Sequence, residues 1–319
     1  MELSVIVPAY NEQESLPRFL PRLEESLSEC VGDKYEIIFV NDGSKDDTLR
    51  ILIDKARSDK RIRVLNLSRN FGKEIAITAG LHISRGRASL MLDADGQHPP
   101  ELIPKFYKLW KKDNMVVIGV RETEQEGSTI KRLGSKFFYK IINSMGDFTM
   151  IPGSTDYRLI DEKVREEFIK FTEHNRIARG LIDWMGFPYA TVSFKTEQRL
   201  GGTATYSMSK LFKLALNSFV SLSMLPLYLI GYIGIFISGS SLILGLAIFI
   251  EQILLNDPLH INVTGTAMLG VLTIFLVGII LCAQGLLALY LSHIHVQAQN
   301  RPLFIVDKRH SVNIEVEDI

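Results

Sequence analysis

Two long uncharged stretches limit what this chain can fold into more than any other feature. Residues 214–250 contain no Asp, Glu, Lys or Arg, and neither do residues 258–300. Within the first, MLPLYLIGYIGIFISGSSLILGLAIFI runs over 224–250; within the second, GTAMLGVLTIFLVGIILCAQGLLALYL runs over 265–291. A helix needs about 20 residues to cross a hydrocarbon core of about 30 Å, so each run is long enough. Gly and other small residues inside both runs suit packed membrane helices better than the core helix of a soluble protein. The expectation is a transmembrane hairpin over 223–292. Lys210 and Lys213 precede it, and Arg301, Lys308 and Arg309 follow it. The connecting EQILLNDPLHIN has Glu251 and Asp257 but no basic residue. Basic flanks stay in the cytoplasm, so both ends and the tail 293–319 are expected there. Just before the hairpin, YSMSKLFKLALNSFVSL (206–222) repeats polar Lys210, Lys213, Asn217 and Ser221 at helical spacing, which reads as an amphipathic interfacial helix.

The remaining residues, 1–205, have the composition of a soluble domain. The whole chain balances 36 basic against 36 acidic residues. Only three basic and six acidic residues lie in 222–319, leaving 33 and 30 for the first 221. A net +3 gives no argument for nucleic acid as a partner. Two cysteines, Cys30 and Cys282, build neither a disulfide framework nor a metal knuckle. The opening MELSVIVPAYNE lacks the basic n-region of a signal peptide.

Along this part, apolar strands alternate with amphipathic helices. LSVIVPAY, YEIIFVND, IRVLNLS and RASLMLDAD read as strands; EQESLPRFLPRLEESLSEC, KDDTLRILIDKARS and KEIAITAGLHIS read as the helices between them. That alternation predicts an α/β fold with a mostly parallel sheet covered on both faces. Ligands of such sheets sit outside the carboxyl ends of the strands. The four strands end on polar segments: AYNE, NDGS, SRN and DADGQ.

Asp93 and Asp95 are two residues apart, so an extended backbone puts them on one face. Paired carboxylate oxygens suit a hard cation, Mg²⁺ or Mn²⁺, shared with a diphosphate; Gln97 offers a neutral oxygen from the same turn. His98, followed by two prolines, reads as a loop residue. No GxxxxGK[ST] and no GxGxxG follows the first strand, so a nucleotide must be held by other means. Asp42 suits accepting a hydrogen bond from a base, with Pro8 and Tyr10 walling it; NDGS reads equally well as a turn that caps the next helix.

VIVPAYNE, VNDGSKDDT, LSRNFGKE and DADGQHPPELI together resemble the inverting family-two glycosyltransferases. GSTDYRLIDEKV, NRIARGLIDWMGF, MLPLYLIGYIG and RPLFIV extend the likeness over residues 1 to about 306, to the membrane-bound polyprenyl-phosphate glycosyltransferases of the bactoprenol glucosyltransferase and dolichol-phosphate mannosyltransferase type. The resemblance implies a GT-A fold and transfer of a sugar from a nucleotide donor to a lipid phosphate, for cell-envelope glycan or lipopolysaccharide modification at the bacterial cytoplasmic membrane. By position, Pro8, Tyr10, Glu12 and Asp42 contact the nucleoside. Asp93, Ala94, Asp95 and Gln97 form the donor and metal segment, with Asp95 and Gln97 nearest the metal. Arg121 binds donor phosphate, Asp156 lies near the acceptor, and Arg199 opens a phosphate-binding segment. Thr205 stands where relatives carry Lys, ETEQEG follows GVR in place of a second basic residue, and ALYLSHIHVQAQNRP has lost most of the charges of its counterpart.

The implied reaction needs little machinery. A phosphomonoester has a second pKa of about 6 and is already a nucleophile at neutral pH. No strong base is required, so Asp156 is expected instead to orient groups, hold a basic residue in place or accept a stray proton. Arg199, Lys210 and Lys213 are expected to separate two anionic substrates and bind the acceptor. UDP-glucose is the favoured donor, and undecaprenyl phosphate fits as acceptor. Two spans are too few to translocate the product, so a separate flippase is implied; a homo-oligomer is compatible with the family. The alternative is an inert membrane-anchored assembly partner of the same fold. A processive polysaccharide synthase would need a QxxRW segment and more spans.

Overall fold

The computed structural model describes residues 1–122, 151, 153–174, 176–196 and 265–315, together with positions 232, 236, 237, 239, 240 and 243. The chain divides into two compact units, one made of Met1–Thr205 with Arg301–Ile319 and the other of Tyr206–Asn300.

The first unit is built on a seven-stranded sheet. β1 (Leu3–Ala9), β2 (Tyr35–Asn41), β3 (Ile62–Asn66) and β4 (Ala88–Met91) occur at the positions expected from their apolar runs, joined by α1 (Leu16–Val31), α2 (Thr48–Ser58) and α3 (Lys73–Ile83). Further on come α4 (Ile103–Trp110), β5 (Val116–Arg121), β6 (Ser154–Asp161), α5 (Glu162–Phe168), α6 (Ala178–Trp184) and β7 (Tyr189–Phe194). The strand order is β3-β2-β1-β4-β6-β5-β7. All pairs are parallel except those of β6, which runs antiparallel to both β4 and β5. Strands β1 to β4 are buried along almost their whole length, which explains their unbroken apolar runs.

Side chains on one face of the sheet pack with Phe19 and Leu23 of α1, Leu52 of α2 and Phe106 of α4. Those on the other face pack with Ile77 of α3, Phe168 of α5 and Ile182 of α6. Local chemistry sets the helix starts. Pro17 falls in the first turn of α1, where a missing N–H costs nothing, while Pro21 lies inside it. Asp46 Oδ1 accepts the Thr48 N–H at 3.1 Å where α2 begins, and Ser44 Oγ instead accepts the Asn11 N–H.

The outer edge of β3 is covered by the chain beyond residue 300. Val64 and Val312 exchange both backbone bonds, at 3.0 and 2.9 Å. Ser68 N–H donates to the Ile305 carbonyl and Asp307 N–H to that of Asn66, at 2.9 and 2.8 Å. Asn313 Nδ2 donates to the carbonyls of Ala56 and Ile62, and its own carbonyl accepts from Arg63 Nε. Arg63 in turn pairs with the buried carboxylate of Glu36 at 2.7 Å.

In the second unit, α7 (Gly265–Ala298) is 34 residues long and exposes Leu269, Phe275, Ile280, Leu287, Leu291 and Ile294. Among the described residues it is the one helix long and apolar enough to cross a membrane, over Phe275–Ala298. It contains the second expected span; the interfacial helix over 206–222 and the first span over 224–250 lie outside the described residues, apart from the six isolated positions.

Candidate active site

The carboxyl ends of β1 to β4 meet on one rim, and hydrogen bonds connect the loops that leave them. Asp42, just after β2, is almost fully buried; its carboxylate accepts the backbone N–H of Phe71 at 2.7 Å and of Gly72 at 2.9 Å. Burial raises its pKa, against the pull of those two N–H groups. Asp42 therefore fixes the loop between β3 and α3, and any base contact must use its remaining lone pairs. Gly43 makes this approach feasible. Its φ is +68°, and a Cβ there would lie 2.6 Å from both Arg69 C and Asn70 N. Gly32 has a φ of +61°, but a Cβ there would meet nothing within 4 Å. With a ψ of −132° Gly32 lies outside the left-handed helical well, so Gly32→Ala should cost backbone strain alone, about 1–3 kcal/mol, whereas Gly43→Ala adds a backbone clash, should cost clearly more and should also impair activity. Melting curves and turnover of the two variants check this; equal behaviour would remove the role given to the contact.

Gly72 leads into Lys73, the first residue of α3. Lys73 Nζ lies 2.7 and 2.9 Å from the two oxygens of Asp93 and 2.7 Å from Asp156 Oδ2. Burial works against the Lys73 ammonium, but Asp93 and Asp156 outweigh it and hold its pKa above the ordinary lysine value. For Asp156, burial pushes the pKa up, while the charge and hydrogen bond of Lys73 push it further down, below the usual carboxylate range. A carboxylate so held is a poor proton acceptor.

The antiparallel course of β6 explains the meeting. Met91 of β4 pairs with Arg158 of β6, so continuing the register by two residues sets Asp93 opposite Asp156. A residue near the start of an antiparallel strand thereby reaches the carboxyl rim of its parallel neighbours.

Asp93, Ala94, Asp95 and Gln97 share the loop after β4. Ala94 is buried, Asp95 and Gln97 are half-buried, and Asp95 Oδ1 accepts the Gln97 N–H at 3.0 Å. His98 is buried between Tyr157 and Phe194, and its Nδ1 accepts the Asp93 N–H at 3.2 Å. Burial lowers its pKa, so it steadies the loop as a neutral ring. Pro8 lies near the end of β1, Tyr10 beyond it is 43 % exposed on the rim, and the Glu12 carboxylate accepts from Ser15 Oγ at the start of α1. Arg121, at the end of β5, is exposed on the same rim. Arg199, Lys210, Lys213 and Thr205 lie outside the described residues.

Two groups at the rim carry no sequence signal of their own. Lys73 is visible in the sequence only as part of LSRNFGKE. Glu74, beside it, accepts the Ala178 N–H at the start of α6 at 2.7 Å. Burial raises the Glu74 pKa, and the charge of Asp156 raises it further. Arg158 is fully buried, pairs with Asp183 of α6 and donates to the Arg179 carbonyl. Thus α3 and β6 both anchor α6 beside the rim.

The family model for glycosyl transferase family 2 matches residues 4–169. The chain belongs to glycosyltransferase family 2. A glycosyltransferase of Synechocystis sp., described as uncharacterised, is 39% identical over 306 residues, covering 96% of this chain and 95% of that one. A bactoprenol glucosyl transferase, prophage-derived, of Shigella flexneri is 33% identical over 313 residues, covering 98% of this chain and 100% of that one. The crystal structure of mannosyl-3-phosphoglycerate synthase from Rubrobacter xylanophilus aligns with a TM-score of 0.51 at 18% identity, over 68% of this chain and 71% of that chain. That likeness concerns the fold alone. The α/β, mostly parallel sheet expected from the alternating pattern is present, and its GT-A-like form is the one the resemblance implied.

Proposed function

We propose that this glycosyltransferase moves a sugar, glucose from UDP-glucose being favoured, onto the phosphate of a polyprenyl-phosphate carrier at the cytoplasmic membrane face, with inversion. The observation that carries the reading is the meeting of Asp93, Lys73 and Asp156 on the carboxyl rim, in a chain that also contains the uncharged helix α7. Near-full-length similarity to the Shigella flexneri bactoprenol glucosyl transferase supports both sugar and acceptor.

The nucleoside sits among Pro8, Tyr10, Glu12 and Asp42, with its diphosphate toward Asp93, Ala94, Asp95, Gln97 and Arg121. Asp95, Gln97 and Asp93 are the residues that would hold Mg²⁺ or Mn²⁺. All three offer hard oxygens from one loop; among the described residues, no group of three or more His, Cys, Asp or Glu is placed to hold a metal by itself. Such a sparse donor set fits a cation that takes its remaining ligands from water and substrate phosphate. When bound, the ion neutralises charge on the departing diphosphate. Asp156 holds Lys73 in place and takes no proton from an acceptor that is already ionised. Arg199, Lys210 and Lys213 supply further positive charge for the acceptor, next to an interfacial helix over 206–222.

In this reading the domain organisation is a cytosolic catalytic part over 1–205, a two-span hairpin over 223–292 and a cytosolic tail, in a multi-pass bacterial membrane protein. A separate flippase moves the product. The intact carboxylates of the rim speak against an inert assembly partner. The test incubates membranes containing the enzyme with labelled UDP- and GDP-sugars and undecaprenyl phosphate. Label from UDP-glucose is expected in the lipid fraction, and chelation of divalent cations should abolish it. Donor hydrolysis without any labelled lipid would sink the proposal.

A further inference from the structure

We propose that the Lys73 ammonium is a built-in cation that ties Asp93 to Asp156 and keeps divalent metal off that pair, so that Mg²⁺ or Mn²⁺ is taken up together with the donor's diphosphate. This deepens the function proposed above and rests on it. Lys73 Nζ lies 2.7 Å from Asp93 Oδ1, 2.9 Å from Asp93 Oδ2 and 2.7 Å from Asp156 Oδ2. A lysine ammonium has three N–H groups, and here three carboxylate oxygens face it. Both oxygens of Asp93 are therefore already next to a positive charge. Without a donor, a metal ion can take Asp93 only by displacing Lys73.

All three side chains are held from behind. Lys73 is the first residue of α3, and the N–H of Gly72 before it donates to Asp42 at 2.9 Å. The Asp93 N–H donates to Nδ1 of His98, which is itself buried between Tyr157 and Phe194. Asp156 stands on β6, whose register with β4 is fixed by the pairing of Arg158 with Met91. The two carboxylates would thus stay close if the ammonium were removed. Each has an oxygen 2.7 Å from one common point, where Nζ now lies. Mg²⁺ binds oxygen at about 2.0–2.1 Å, so small side-chain movements would bring both onto one ion. The Lys73 side chain is 39 % exposed, so ions in solution reach this point. Close carboxylates without a cation between them repel, and a divalent ion would answer that charge. With Lys73 in place, the loop after β4 offers a lone ion Asp95 and Gln97, which is a sparse set. The donor's diphosphate adds the missing oxygens. It also offers Lys73 another anion, and Asp93 can then turn to the metal.

The test titrates Mn²⁺ into the full-length enzyme in detergent and follows free Mn²⁺ by its paramagnetic resonance signal, with and without UDP. For wild type, UDP is expected to tighten Mn²⁺ binding at least about tenfold. Without UDP, Lys73→Met is expected to bind Mn²⁺ at least about tenfold more tightly than wild type, because two carboxylates have lost their ammonium. Lys73→Arg, which keeps the charge, should stay within about threefold of wild type. Adding Asp156→Asn to Lys73→Met should abolish the gain. A folded Lys73→Met with wild-type Mn²⁺ affinity, or a gain that survives Asp156→Asn, overturns the proposal. Should Lys73→Met not fold, Lys73→Gln, whose amide N–H groups can still bond a carboxylate, takes its place. Mn²⁺ held by wild type as tightly without UDP as with it overturns the proposal whatever the variants do. Mn²⁺ binding needs no acceptor. If the variants behave as expected while wild type transfers no sugar to undecaprenyl phosphate, the proposed reaction fails and the role of Lys73 stands.

Discussion

Purified Asp95→Ala is expected to transfer sugar at least about 10³-fold more slowly than wild type. Its melting temperature should stay within about 4 °C of the wild-type value. Asp95 is half-buried on the loop after β4, where Oδ1 accepts the Gln97 N–H at 3.0 Å. Losing a turn bond of that kind costs only about 1 kcal/mol. In the proposed reaction sugar transfer loses far more, because Asp95 is among the residues that would hold the cation that neutralises the departing diphosphate. Asp95 is a cleaner probe than Asp93. Removing Asp93 also deprives Lys73 of one of its two carboxylates, so two effects are mixed. Asp95→Asn, which keeps the shape, separates charge from space. Full activity of folded Asp95→Ala would dismiss the loop after β4 as the metal and diphosphate site.

Ending the chain at residue 300 is expected to destabilise the catalytic unit as severely as losing a core side chain, by about 4 kcal/mol or more. The truncation takes away the four backbone bonds that residues 305–312 make along β3, and the Asn313 side chain that holds Ala56 and Ile62. It also uncovers β3 as an open sheet edge, which invites pairing with other chains. Arg63 would keep Glu36 but lose the Asn313 carbonyl. Hydrogen exchange reports the change residue by residue. The amides of Val64, Asn66 and Ser68 donate to the tail, and they should lose protection first. Unchanged exchange at these amides and an unchanged melting curve would show that the tail contributes nothing.

The strand ends that form the rim were legible because the sequence marks them locally. Each parallel strand is an unbroken apolar run, and the polar residues that follow can only lie at its end. AYNE, NDGS, SRN and DADGQ marked the four loops; Asn11 and Ser44 join the first to the second, Asp42 joins the second to the third, and Lys73 just beyond the third reaches Asp93 in the fourth. Asp42 shows the limit of such reading. Its position was legible, but the N–H groups its carboxylate accepts come from residues 29 and 30 positions away.

What the sequence by itself determined is whatever depends on near neighbours: the strand and helix alternation, the polar strand ends, the paired aspartates and the uncharged runs. These follow from side-chain period and from the cost of burying charge, and both act over a few residues. Only the tertiary structure decided that Lys73 stands between Asp93 and Asp156, that Glu74 and Arg158 hold the start of α6, and that the tail covers β3. Each depends on residues from 20 to about 250 positions apart meeting in space. Strand order and the antiparallel turn of β6 bring them together, and no local pattern encodes either.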